Sequence, residues 1–170
     1  MAATPAPPTH TLVGVGVGPG DPELITVKAV AALQRADVIL VPATEASADA
    51  AGRAEQIVLA ACPEAAAKLR RIPFSMAQRR GVGRARTESW QASAQAAVDA
   101  FSAGATTVAF ATVGDPSVYS TFSYLAAQVQ AVMPGVDVSV VPGITAMQAL
   151  AAASRTPLVR PAGRPPSAPG

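Results

Sequence analysis

Half of the 170 residues are hydrophobic and 14% are charged, against roughly 25% charged in an average domain, which excludes a disordered chain and leaves enough apolar residues for one core. The formal charge of +2 is too small by itself to imply a nucleic-acid partner. The single cysteine, Cys62, excludes an internal disulfide and argues against a thiolate metal site.

Residues 1–9 are rich in Pro and Ala and read as a disordered tail. They lack the basic and apolar regions of a secretory signal, and no later apolar run approaches the ~18 residues of a membrane span. A soluble cytoplasmic protein without a metal is therefore expected. The first strand is predicted at 11–17, "TLVGVGV", followed by a helix over 22–35 with Asp21 as N-cap, Pro22 at its first position and Glu23 at its positive end. Further strands are predicted at 37–41, 68–73, 106–112 and 136–141, and further helices near 50–61, 88–103, 117–131 and 144–154. Between Lys68 and Arg86 lie seven basic residues and no acidic one, a pattern of either a solvated loop or a surface that attracts anions. Residues 159–170, "VRPAGRPPSAPG", have no apolar periodicity and read as a second disordered tail. Strands alternating with helices predict an α/β fold, a five-stranded, mostly parallel sheet covered by helices on both faces, in one domain over 10–158.

The glycines at 14, 16, 18 and 20 invite a nucleotide-loop reading. The G-x-G-x-x-G fingerprint fails from Gly14, where Pro19 takes the last glycine's place, and from Gly16, where Asp21 does. No Gly-Lys pair exists, so the phosphate loop of nucleoside triphosphatases is also excluded. An acidic N-cap would occupy the helix amides and repel a phosphate. Two readings remain open: glycines that let helix and strand pack closely, or a loop bordering a ligand that is not strongly anionic. Two more Gly/Pro loops, "VGDPSVYS" after the fourth strand and "VPGITA" after the fifth, stand at the carboxyl ends of strands, where open parallel sheets bind ligands. Together the three loops make a pocket lined by main chain.

"GVGVGPGDPELITVKAVAALQRADVILVP", "GDPSVYSTFSYL" and "VVPGITAMQAL", in this order and spacing, resemble the tetrapyrrole methylase family over roughly residues 11–158. The "YSTFSYL" continuation is most similar to the branch that methylates C20 of precorrin-2 in cobalamin biosynthesis. The resemblance implies S-adenosylmethionine as methyl donor, a tetrapyrrole acceptor, homodimers when full length, and neither a nucleic-acid nor a membrane partner. It implies cofactor contacts at Pro19, at Val113, Gly114, Asp115 and Val118, and at Thr145 and Ala146. Where some members carry an acid at the end of the second strand as proton acceptor, this chain has Pro42, so no catalytic side chain is assigned. Members of the family also continue into a second α/β domain, so the chain reads as C-terminally truncated after about Leu158, with weak cofactor binding, little turnover and exposed apolar surface as the expected results.

The acceptor's carboxylates suit the planar forks of Arg70, Arg71, Arg79, Arg80, Arg84 and Arg86, of which Arg79, Arg80 and Arg84 are the candidate substrate contacts, with Tyr119. A buried ring is nonetheless the expectation for Tyr119, a packed one for Trp90, and an exposed side chain for His10. The alternatives are a methylase acting on uroporphyrinogen III, a ribosomal RNA 2'-O-methylase of the same fold, and a non-catalytic fragment.

Overall fold

The computed structural model describes residues 10–43, 50–73 and 84–159, the side chains of residues 84–87 excepted. Both expected tails lie outside the described residues apart from Val159, as do Arg79 and Arg80 and the side chains of Arg84 and Arg86. Strands β1 (His10–Gly16), β2 (Val38–Ala43), β3 (Leu69–Pro73), β4 (Thr107–Thr112) and β5 (Val136–Val141) form one sheet in the order β3-β2-β4-β1-β5. Every neighbouring pair is parallel.

Helices α1 (Val27–Arg35) and α2 (Arg53–Ala61) cover one face, and α3 (Arg84–Ser102) and α4 (Phe122–Val132) the other. Alternation along the strands assigns the side chains. Val13, Val15 and Val17 join Ile39, Val41, Ala109 and Ala111 against Leu33, Ile57 and Val58. Leu12, Leu40, Val108 and Phe110 point the other way, against Phe101, Phe122, Leu125 and Val129. Strand β4 is buried on both faces, as its unbroken apolar run requires.

The predicted helix over 22–35 divides in two. Asp21 caps only a short 3-10 turn, Pro22–Leu24, and Thr26 caps α1 by accepting from the Ala29 N–H. Ile25 lies between them in extended conformation and packs against the core, so burial of its side chain interrupts the helix. A second 3-10 turn, Pro63–Lys68, leads into β3 and was not predicted. Pro42 is tolerated inside β2 because pairing with β4 ends at Leu40, where no partner is owed the missing N–H. At the opposite edge of the sheet, Asp37 ties β2 to β4. Its Oδ2 accepts from the N–H of Thr107 and from the N–H and hydroxyl of Thr106, and these bonds hold the carboxyl below the usual carboxylate range.

His10 is half-buried rather than exposed, with its ring edge-on to Phe101 at 5.0 Å. Trp90 packs as expected, stacked on Tyr124 at 4.3 Å between ring centres. The remaining helix, α5 (Ala146–Ser154), buries none of its residues: Met147 and Leu150 are exposed, as are the nearby Val140, Leu158 and Val159.

Candidate cofactor-binding edge

The chain leaves β1 toward β2 on one side and leaves β4 toward β5 on the other. β1 and β4 are neighbours, so their carboxyl ends form the switch point at which open parallel sheets accommodate ligands. The loops that follow them do not splay apart. Gly18 and Gly114 form an isolated antiparallel bridge, with the Gly114 N–H donating to the Gly18 carbonyl at 2.8 Å, next to a bond from the Val17 N–H to the Thr112 carbonyl at 2.9 Å. Both glycines take positive φ, +83° and +74°, a region in which a side chain is strained.

The third loop closes onto this bridge. A Cβ on Gly16 would stand 2.5 Å from the Gly114 carbonyl oxygen and 2.7 Å from the Gly143 nitrogen. A Cβ on Gly143 would collide with the same Gly114 oxygen. Three backbones thus meet where side chains at Gly16 and Gly143 would not fit and one at Gly114 would be strained by its positive φ. Gly16 and Gly143 serve the packing of loop against loop, which neither of the two readings left open by the sequence described. Gly14 fits the first of them, close packing of helix and strand, since a Cβ there would meet the Phe122 ring of α4 at 2.6 Å.

Asp115 fastens the arrangement. Its Oδ1 accepts from the Ser117 N–H at 2.8 Å and from the Ser117 hydroxyl, and its Oδ2 accepts from the Gly143 N–H at 2.9 Å. Burial raises the carboxyl pKa, but the bonds from the Ser117 hydroxyl, the Gly143 N–H and the Ser117 N–H outweigh it and leave it below the usual range. Asp115 is therefore an anion that spans the β4 and β5 loops. A carboxylate has about four acceptor positions, so one on Oδ2 is left without a partner among the described residues.

The other predicted contacts stand around this knot. Pro19 follows Gly18 and is half-buried. Val113 is exposed at 36%, and Val118 donates its N–H to the Asp115 carbonyl at 3.1 Å. Thr145 is buried and caps α5 in a closed box: its N–H donates to Gln148 Oε1 at 2.7 Å, while its hydroxyl oxygen accepts from the Gln148 N–H. Ala146, the first residue of α5, is exposed. Ser117 escaped the sequence reading, although an Asp-Pro-Ser triplet with a serine two residues after the acid is a recognisable Asx-turn signature.

Two expectations change. The Tyr119 ring is fully exposed rather than buried, and the residue takes a left-handed φ of +52°. Among the arginines of the basic cluster, Arg71 holds Glu55 through two bonds of 2.8 and 3.1 Å, and Arg70 donates to the carbonyls of Ala67 and Leu69. These two are occupied by the chain's own edge and do not stand with the three loops. Beside Pro19, a cleft of about 500 Å³ separates the β1–α1 loop from the start of α2. Among the described residues no group of three His, Cys, Asp or Glu side chains is placed to hold a metal, and no helix is long and apolar enough to cross a membrane.

Residues 11–163 match the family described as Tetrapyrrole (Corrin/Porphyrin) Methylases. The chain is 37% identical over 153 residues to precorrin-2 C(20)-methyltransferase from Sinorhizobium sp., covering 88% of this chain and 60% of that protein. It is 32% identical over 146 residues to the probable cobalt-precorrin-2 C(20)-methyltransferase of Methanocaldococcus jannaschii, covering 86% and 58%. Among solved structures, uroporphyrin-III C-methyltransferase from Thermus thermophilus, in complex with S-adenosyl homocysteine, superposes with a TM-score of 0.53 at 27% identity, covering 89% of this chain and 54% of that one. The cobalt precorrin-4 methyltransferase structure gives 0.60 at 25% identity, covering 94% and 56%. The chain thus spans about three fifths of the length of these relatives, and by sequence match, strand topology and loop arrangement it belongs to the tetrapyrrole methylase family.

Proposed function

We propose that this chain serves methyl transfer from S-adenosylmethionine to a carbon of the precorrin-2 macrocycle, in cobalamin biosynthesis. The observation that carries the reading is the 37% identity over 153 residues to a precorrin-2 C(20)-methyltransferase, beside a family match over residues 11–163 that includes all three loops. The residues present suit the donor. They offer main-chain groups and one anionic carboxylate with an acceptor position left, and no phosphate-binding loop, which fits a cationic sulfonium amino acid better than a nucleotide polyphosphate. Asp115 and the Val113–Gly114 backbone would hold the amino-acid part, Pro19 and Val118 would flank it, and Thr145 and Ala146 would supply the N-terminal end of α5.

When bound, S-adenosylmethionine supplies an electrophilic methyl group for in-line displacement. The chain's part is to orient donor and acceptor and to exclude water, and the interlocked glycines give it a rigid edge on which to do so. No base is assigned among the described residues, and water or a carboxylate of the acceptor would take the proton released from the acceptor carbon. A cytoplasmic homodimer with no nucleic-acid or membrane partner belongs to the same reading. Calorimetric titration with S-adenosylhomocysteine tests the cofactor part: saturable binding is expected, and none at millimolar ligand refutes it. Turnover by the chain alone is expected to be slight; whatever methyl label it transfers from S-adenosylmethionine is expected in precorrin-2, and label in uroporphyrinogen III or ribosomal RNA instead would replace the acceptor.

A further inference from the structure

The cleft beside Pro19 is not used by the cofactor contacts apart from that residue. Pro19, Gly20 and Pro22 form one wall, and Arg53, Gln56 and Ile57 of α2 form the other. Both walls rise from the carboxyl ends of strands: the first follows β1, and Gly52, immediately before α2, lies so close to Pro42 of β2 that a Cβ would stand 2.9 Å from its carbonyl oxygen. The cleft therefore opens on the same sheet edge as the three loops.

Its chemistry is one-sided. Among the described residues no acid lines it, and Arg53 is the sole charge. Of the acids nearby in the chain, Asp21 accepts from the Glu23 N–H and Glu55 is held by Arg71. Arg53 is exposed and pairs with no acid among the described residues. The Gln56 amide nitrogen donates to the Ala51 carbonyl at 2.8 Å, so the guanidinium is the charged donor left to a ligand. Proline, isoleucine and alanine make up the rest of the surface.

We infer that this cleft takes one carboxylate-bearing edge of the acceptor macrocycle, with the Arg53 fork paired to the carboxylate and a pyrrole rim against the apolar wall; the inference rests on the methyl-transfer reading above. A planar guanidinium is the side chain best matched to a carboxylate, and an apolar floor suits a flat ring. A volume of about 500 Å³ admits one substituted ring rather than a whole tetrapyrrole, so the macrocycle enters by its rim. Pro19 belongs to both regions, so an acceptor seated here lies next to the donor.

The test is an absorbance titration with sirohydrochlorin, a tetrapyrrole bearing free carboxylates, on the wild-type chain, Arg53→Gln and Lys28→Gln. Lys28 is another exposed cation, in the first turn of α1, and is not among the residues lining the cleft. Arg53→Gln is expected to raise the Kd about tenfold or more, by loss of a charge-assisted bond. Lys28→Gln should leave it unchanged, and neither substitution should move the melting temperature or the affinity for S-adenosylhomocysteine. An unchanged Kd in Arg53→Gln overturns the inference while leaving the methyltransferase reading intact. A loss of S-adenosylhomocysteine affinity in Arg53→Gln also overturns it, since the residue would then serve the cofactor. A wild-type chain that does not bind sirohydrochlorin overturns the precorrin reading and this inference with it.

Discussion

Asp115→Asn is the most informative single change, because it alters hydrogen bonding and charge without altering shape. The carboxylate accepts three bonds, two at Oδ1 from Ser117 and one at Oδ2 from Gly143. An asparagine has one acceptor oxygen. If its amide nitrogen faces Gly143, two N–H groups oppose each other; if it faces Ser117, the hydroxyl can rotate to accept but the Ser117 N–H loses its partner. Either orientation leaves one backbone donor unmet at a site where the residue is 8% exposed, at a cost of about 1–3 kcal/mol. For a domain of this size that corresponds to a fall in melting temperature of roughly 3–10 °C. The same change loosens the β4 loop from the β5 loop, so affinity for S-adenosylhomocysteine should fall as well. The pH dependence follows from the sign of the shift. The folded carboxyl sits below its ordinary value, so its contribution is complete above the unfolded pKa and is lost as pH falls through the folded one. The gap between wild type and variant should hold from neutral pH down to the ordinary carboxylate range and close only in stronger acid. Thermal unfolding followed by circular dichroism reads all of this. A variant melting within about 1 °C of wild type at neutral pH would show that Asp115 does not fasten the loops.

Gly16→Ala and Gly143→Ala each drive a methyl group into backbone that cannot turn aside, so each should destabilise by about 2–3 kcal/mol or more, whereas Gly135→Ala, with nothing within 4 Å of its Cβ, should be near neutral in urea titrations. Equal denaturation midpoints for all three would contradict the interlocked loops. Tyr119 carries left-handed strain of about 1 kcal/mol without any packing in return; Tyr119→Gly should therefore keep or raise the midpoint, while the β-branched Tyr119→Val should lower it, and the reverse order would show that the ring is needed for folding.

All five strands were legible in the sequence, to within two residues at each end, because apolar runs between helical patterns are a local signal. Asp21 was readable as a cap for the same reason, its partner lying two positions away, whereas the cap at Thr145 was not read although its partner lies three positions away. The helix over 22–35 was misjudged because its break at Ile25 depends on a distant core. The roles of Arg70 and Arg71 were likewise beyond reach, since Glu55, the partner of Arg71, lies 16 residues away on another element.

The sequence by itself determined the fold class, the order of elements and the three loops that join strands to helices, since each rests on contacts between near neighbours in the chain. Only the tertiary structure decided what those loops do to one another. The order β3-β2-β4-β1-β5 sets β1 against β4 and β5, and through that placement Gly16, Gly114 and Gly143, scattered over 128 positions, come to share one small volume. Glycines that looked like room for a ligand are room for backbone. What is left at this edge, and what the proposed function assigns to the ligand, is half-buried Pro19, exposed Val113 and Ala146 and the last acceptor position of Asp115. That division follows from close packing at the sheet edge, which no local pattern encodes.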